Sequence, residues 1–206
     1  MMGRCILVGA AEFMGKIDVY REDLVIAADG GYAALAEQGI VPDLLIGDLD
    51  SLDTEIPKGI PLLRHPTEKD DTDMRLAYLE GAARGYTDFI IYGGAGGRID
   101  HTLANFSLML EITEGGGSAV MVADSFDAYV ILRGDIYLPA RDGGSVSVFA
   151  IGGDAKGASI RGLKYSADDI TLKESFALGV SNSFIGKEAK ISVREGALLV
   201  IVGKGY

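Results

Sequence analysis

Asp48 and Asp50 stand one residue apart, directly after the short apolar run Leu44–Ile46 and Gly47. In an extended segment residues two apart point to the same side, so the two carboxylates can converge on one hard cation. The flanking Gly, Asp and Ser residues are also ordinary turn formers, and a polar turn after a strand uses the same letters. A second acidic group follows. Between Thr67 and Asp73, Glu68, Asp70, Asp71 and Asp73 crowd the entry to a helix. Thr67, Asp70 and Asp71 suit an N-cap, and acids in a first turn favour the helix dipole, but four acids exceed what a cap needs. Acids gathered at one edge repel one another unless a cation compensates.

The third group is Gly93-Gly94-Ala95-Gly96-Gly97-Arg98-Ile99-Asp100-His101. A glycine loop between a strand and a helix exposes backbone amides with the helix N-terminus behind them, which makes a cradle for an anion. Arg98 adds a fork of donors suited to phosphate. No Gly-Lys-Ser/Thr follows, so this is not a Walker loop, and the spacing does not match the dinucleotide fingerprint. Read as structure alone, the segment is a flexible turn with Asp100 as a cap and His101 packed on the helix.

Composition restricts the chemistry further. The chain has 206 residues, 48% of them apolar, and a formal charge of −11. That charge excludes a nucleic-acid or anionic-membrane surface as the first expectation, since both reward Lys and Arg. An anionic substrate would then need a metal as intermediary. Two His and one Cys are too sparse for zinc-type ligation, so an oxygen-bound ion, magnesium, is expected. Cys5 lies in an apolar run, permits no internal disulfide and suits a reducing compartment. No signal-like N-terminus or span-length apolar run is present, and a soluble cytoplasmic protein is the expectation.

The elements that must position these groups follow from apolar runs and their punctuation. Strands are expected at Cys5–Val8, Leu24–Ala28, Leu44–Ile46, Ile60–Leu63, Phe89–Tyr92 and Ala119–Val122. Helices are expected over about 71–83 and 100–111, with shorter ones after Ala28. Such alternation predicts a doubly wound, mostly parallel α/β sheet. In such sheets ligands bind beyond the carboxyl ends of the strands, where Asp29, Asp48, Asp50, the Thr67–Asp73 segment and the Gly93–Gly97 loop all fall.

Past Asp124 the helical period disappears. Short alternating runs at Ala128–Leu132, Ser145–Ala150, Ala158–Ile160, Lys190–Val193 and Leu198–Val202 predict an all-β, sandwich-like second domain. The expected division is therefore 1–124 and 125–206. Within the second part, Arg161–Tyr165 and Gly179–Asn182 read as hairpin turns.

Taken in order, Ala28-Asp29-Gly30-Gly31, Gly47-Asp48-Leu49-Asp50-Ser51, Asp71-Thr72-Asp73, Gly96-Gly97-Arg98-Ile99-Asp100-His101, Gly162-Leu163-Lys164-Tyr165 and Gly179-Val180-Ser181-Asn182 resemble the thiamine pyrophosphokinase family. The resemblance spans nearly the whole chain. It implies transfer of a pyrophosphoryl group from ATP to thiamine, giving thiamine diphosphate and AMP. It further implies a homodimer with thiamine sites built across the subunit interface. By the same resemblance Asp29, Asp48, Asp50 and Asp73 form the catalytic cluster, with Asp48, Asp50 and Asp73 holding magnesium. Lys69 and Thr72 would lie near the nucleotide, and the loop bearing Gly94, Gly96, Gly97 and Arg98, with Asp100 and His101, near its phosphates. Ser181 and Asn182 would meet the thiamine pyrimidine. Some members cover thiamine with a Trp after the Ser-Asn pair; this chain has none, and Phe184 is either the aromatic offered in its place or a residue of the sandwich core.

This chemistry needs charge neutralisation and in-line positioning more than a covalent nucleophile. Asp73 or Asp100 would be placed to accept the thiamine hydroxyl proton. Two rival readings use part of the same inventory. A nucleotide-sugar glycosyltransferase also carries an Asp-x-Asp at a strand end, but that leaves the β half unexplained. A non-enzymatic thiamine or nucleotide sensor would have lost its acids, and all four are present.

Overall fold

The computed structural model describes residues 3–47, 59–63 and 71–205. The chain divides into two units, Met1–Leu108 with Gly116–Asp124, and Met109–Gly115 with Ser125–Tyr206.

The first unit is α/β. Its strands are β1 (Cys5–Val8), β2 (Leu24–Ala28), β3 (Leu44–Ile46), β4 (Leu62–Leu63), β5 (Asp88–Tyr92) and β6 (Ser118–Val122), and its helices α1 (Gly31–Glu37), α2 (Asp73–Ala83) and the start of α3 (Ile99–Glu114). The strands run in the order β4-β3-β2-β1-β5-β6, every neighbouring pair parallel. β1 and β2 are buried along their whole length, which is why they read as unbroken apolar runs instead of alternating ones. Ile6, Val8, Ala27, Leu35 and Leu45 pack into one core. From β1 the chain works outward through β2, β3 and β4, then returns to place β5 on the other side of β1. Strand order therefore reverses between β1 and β5, and a crevice opens there at the strands' carboxyl ends.

Two glycines make that junction possible. Gly9 N–H donates to Tyr92 O at 2.8 Å, and Ala11 N–H donates to Gly93 O at 3.1 Å. A Cβ on Gly9 would sit 2.6 Å from the Gly93 carbonyl oxygen, and Gly93 itself has φ +59°. Neither position tolerates a side chain while the two strand ends stay this close.

The helix entered by the acidic segment begins at Asp73. Its N-cap is Thr72, whose Oγ1 accepts from Arg75 N–H at 3.2 Å, while Asp71 pairs with the Arg75 side chain at 2.5 Å. Asp71, one of the expected caps, is thus an i,i+4 ion-pair partner, because Thr72 sits one residue nearer the helix. The expected strand Ile60–Leu63 is shortened to Leu62–Leu63.

Cys5 is a buried thiol. Burial pushes it up to about 12, with the nearby carboxylates of Asp43 and Asp23 adding to the effect and Arg84 opposing it, so it stays protonated and inert. Among the described residues, no helix is long and apolar enough to cross a membrane.

The second unit is antiparallel β: β7 (Phe126–Leu132), β8 (Asp135–Leu138), β9 (Ser145–Arg161), β10 (Ala167–Leu172), β11 (Gly179–Ser183), β12 (Ala189–Ser192) and β13 (Glu195–Gly203). The two expected runs Ser145–Ala150 and Ala158–Ile160 are one 17-residue strand, β9. Its first half pairs with β13 and β11, its second half with β10 and β12 and, at Lys156, with Glu195 of β13. Gly152 (φ +73°) and Gly153 (φ +133°) lie between the halves and interrupt the apolar alternation, which is why the sequence reads as two strands. Val146, Val148, Ile160, Ile191 and Val200 form its core.

The segment Gly179–Asn182 is also a strand where the sequence suggests a turn. β11 pairs with β9 through an irregular register between Gly179 and Asn182, with Ser181 at φ +59°. A glycine and a left-handed residue are turn signals in sequence, and here they build a bulged strand.

Candidate active site

A cavity of about 580 Å³ opens in the α/β unit at the β1/β5 junction. Its size lies in the range of small-ligand sites. Three walls matter chemically. The first is the run Gly9–Glu12 leaving β1, the second is Asp29 at the end of β2 with Thr72 and Asp73 at the start of α2, and the third is the glycine loop after β5 with the first turns of α3.

Asp29 is held in a left-handed conformation, φ 48°, uncommon for a residue with a side chain and costing roughly 1–3 kcal/mol. Its N–H donates to Ile46 O at 2.7 Å, and a Cβ on Gly47 would lie 3.2 Å from the Asp29 Cα. The end of β3 therefore packs backbone to backbone against Asp29. Asp48, Asp50 and Lys69 lie outside the described residues, as do Thr67, Glu68 and Asp70.

The glycine loop is fixed by two polar side chains of α3. Asn105, 7% exposed, donates from Nδ2 to Gly94 O at 2.7 Å. Thr102, equally buried, accepts from Gly96 N–H at 3.2 Å and donates to Arg98 O at 3.3 Å. Neither was singled out from sequence. Their signal is a polar residue on the buried face of a helix directly after a glycine loop, since buried polar groups need partners and the loop backbone supplies them. Replacing Asn105 with Ala leaves the Gly94 carbonyl without its buried donor, and the expected cost is about 1–3 kcal/mol of stability. Thermal unfolding checks it; an unchanged midpoint would mean the loop holds its shape unaided.

Of the residues expected near the nucleotide, Thr72, Gly94, Gly96, Gly97, Arg98 and His101 all line this cavity, as do the acids Asp29 and Asp73. Asp100 faces Arg98 instead. The guanidinium bonds its carboxylate at 2.5 and 3.2 Å and holds the carboxyl below its usual range. Lowered basicity makes Asp100 a poorer proton acceptor than the sequence alone suggests.

The thiamine-side residues lie in the β unit. Asn182 is 5% exposed and its amide is committed to backbone: Nδ2 donates to Tyr165 O at 2.6 Å, and Oδ1 accepts from Tyr165 N–H and Ser183 N–H, each at 2.9 Å. It clamps the Gly162–Tyr165 turn onto β11. Ser181, exposed beside it, donates its N–H to Ser147 Oγ at 3.1 Å. Of the two readings of Phe184, its burial favours the core. It is 4% exposed, packed in the β core and bridged to Leu163, with the Arg141 guanidinium 5.6 Å from its ring centroid. A ring so enclosed offers no open face for a ligand to stack on.

Among the described residues, no three His, Cys, Asp or Glu side chains gather into a metal cluster. The cavity nevertheless carries two hard oxygen donors, Asp29 and Asp73, beside an amide-rich loop, a donor set that suits magnesium and not a soft metal.

An α/β sheet whose glycine loop and two acids line one cavity at the strand-order reversal has the features of a phosphate-binding enzyme. Residues 19–121 match the model of the thiamin pyrophosphokinase catalytic domain, and residues 135–198 that of the thiamin pyrophosphokinase vitamin B1 binding domain. A thiamine pyrophosphokinase from Bacillus subtilis is 28% identical over 185 residues, covering 86% of each chain. In structure, a thiamine pyrophosphokinase from Bacillus subtilis superposes with TM-score 0.87 at 21% identity, covering 98% of this chain and 100% of that one. A thiamin pyrophosphokinase family protein from Enterococcus faecalis gives 0.83 at 26% identity, covering 99% and 100%. The chain belongs to the thiamine pyrophosphokinase family, and its enzyme class is that of a thiamine diphosphokinase. The two domain models account for both halves of the chain, which the glycosyltransferase reading does not.

Proposed function

We propose that this chain binds ATP and magnesium in the cavity at the β1/β5 junction and transfers the terminal pyrophosphoryl group to the hydroxyethyl oxygen of thiamine. One observation carries the reading: Asp29, Thr72, Asp73 and the Gly94–Arg98 loop, far apart in sequence, line one cavity. In this account residues 1–124 form a doubly wound catalytic domain and residues 125–206 a β-sandwich that binds thiamine. Asp48, Asp50 and Asp73 would hold magnesium, with Asp29 as the fourth acid of the catalytic cluster, and Lys69, Thr72, His101 and the loop would contact the nucleotide. Bound magnesium would supply charge neutralisation for the polyphosphate.

The chain's own groups do the rest. Loop amides and Arg98 orient the phosphates, so that the thiamine hydroxyl meets the β-phosphorus in line with the departing AMP oxygen. Ser181 takes part on the thiamine side, with Asn182 fixing the strand that carries it. The family resemblance further supports a homodimer with shared thiamine sites and a cytoplasmic setting; the buried, unpaired Cys5 suits the latter.

The test is product identity. Purified protein with thiamine, ATP and magnesium should yield thiamine diphosphate and AMP in equal amounts by mass spectrometry. ADP with thiamine monophosphate would contradict the proposal.

A further inference from the structure

The run that leaves β1 forms one wall of the cavity, and no motif in it identifies a function. Gly9, Ala10, Ala11 and Glu12 all line the space, and small residues at the first three positions let a ligand approach the backbone. Beyond Glu12 the run has no regular structure of its own as far as β2. Its backbone shape must therefore be imposed from outside.

Two side chains from separate elements impose it. Asp124, two residues past the end of β6, accepts three contacts from the run: Met14 N–H at 3.1 Å on Oδ1 and 3.0 Å on Oδ2, and Gly15 N–H at 3.0 Å on Oδ1. A carboxylate receiving two successive amides is a charge-assisted anchor, stronger than a neutral bond of the same length. Gln38, just past the end of α1, donates from Nε2 to Gly15 O at 3.1 Å and accepts from Ile17 N–H at 2.9 Å. Phe13, between the wall and the anchors, is buried against Tyr92 with ring centroids 5.2 Å apart. The exposed Met14 contributes only its backbone.

We infer that Asp124, assisted by Gln38, is a positioning residue for the nucleotide side of the site, holding the Gly9–Glu12 wall at the distance that ATP requires. The inference rests on the proposal that this cavity binds ATP. Asp124 touches the wall's continuation and not the cavity, so its loss should weaken ATP binding and leave thiamine recognition alone.

The experiment compares wild type with Asp124→Ala, Asp124→Asn and Gln38→Ala. Calorimetry measures MgATP affinity without requiring turnover, steady-state AMP release gives KM for each substrate, and thermal unfolding monitors the fold. Asp124→Ala should weaken MgATP binding and raise its KM roughly tenfold, with the thiamine KM within about twofold. Asp124→Asn keeps a carbonyl oxygen that can accept both amides and should restore most of the affinity. Gln38→Ala should shift ATP binding in the same direction as Asp124→Ala. Unchanged MgATP affinity in both alanine variants would overturn the inference, and so would equal weakening of both substrates that Asp124→Asn fails to rescue. Wild-type protein that binds MgATP without forming AMP would refute the proposed reaction while the variants still judge this inference. Wild-type protein that does not bind MgATP would refute both.

Discussion

Asp48→Asn and Asp50→Asn should each lower pyrophosphoryl transfer about a thousandfold while the protein stays folded. The carboxylates stand two apart after β3, the strand whose end packs against Asp29. Removing one ligand of an ion that neutralises transition-state charge should cost several kcal/mol of barrier, whereas the amide is nearly the same size and leaves packing alone. The second expectation is that activity disappears on chelation and returns with added magnesium. Turnover within a few fold of wild type in both variants, with the fold verified by circular dichroism, would remove these residues from the metal site.

The other large effect concerns how two halves of a site are supplied. Asp48→Asn should be inactive, and so should the double change Ser181→Ala with Asn182→Ala. Losing Asn182 also releases the Tyr165 turn, so Ser181→Ala alone serves as the milder companion. If each site takes acids from one subunit and the Ser-Asn strand from its neighbour, a mixed dimer regains one intact site. Co-refolding equal amounts makes half the dimers mixed, so about one quarter of wild-type activity should return. No recovery in a population shown to contain mixed dimers would mean that one chain supplies both parts.

Much of the α/β unit was legible because its strands are buried on both faces. Cys5–Val8 and Leu24–Ala28 could hardly be anything else, and Gly and Asp at their ends marked the side on which a site would form. The approach of Gly9 to Gly93 was not legible. It joins residues 84 positions apart, and no local pattern encodes a pairing between two parallel strands. The roles of Thr102 and Asn105 are hidden in the sequence for a related reason. Their helix reads as amphipathic whether or not its polar residues turn inward to hold a loop.

In the β half, glycine and register hide the strands from a reading of the sequence. Gly152 and Gly153 split β9 in the sequence, and Gly179 with Ser181 disguise β11 as a turn, although each pair marks a shift of register inside a strand that pairs on both sides of it. Phe184 was ambiguous because alternation decides only which residues share a face. Here Phe184 joins the buried cluster together with Leu163, to which an isolated bridge ties it. Asn182 has a structural part that its sequence position does not reveal, since its amide bonds the backbone at Tyr165.

The central claim is that this enzyme breaks ATP between its α- and β-phosphates, and two ATP analogues test it directly. With a methylene in place of the α,β-bridging oxygen, the bond that must break is a P–C bond, and no product should form. With a methylene at the β,γ bridge, that bond is untouched, and AMP should appear together with thiamine carrying the methylene-linked diphosphoryl group. Turnover of the first analogue and inertness of the second would mean γ-phosphoryl transfer and would contradict the account.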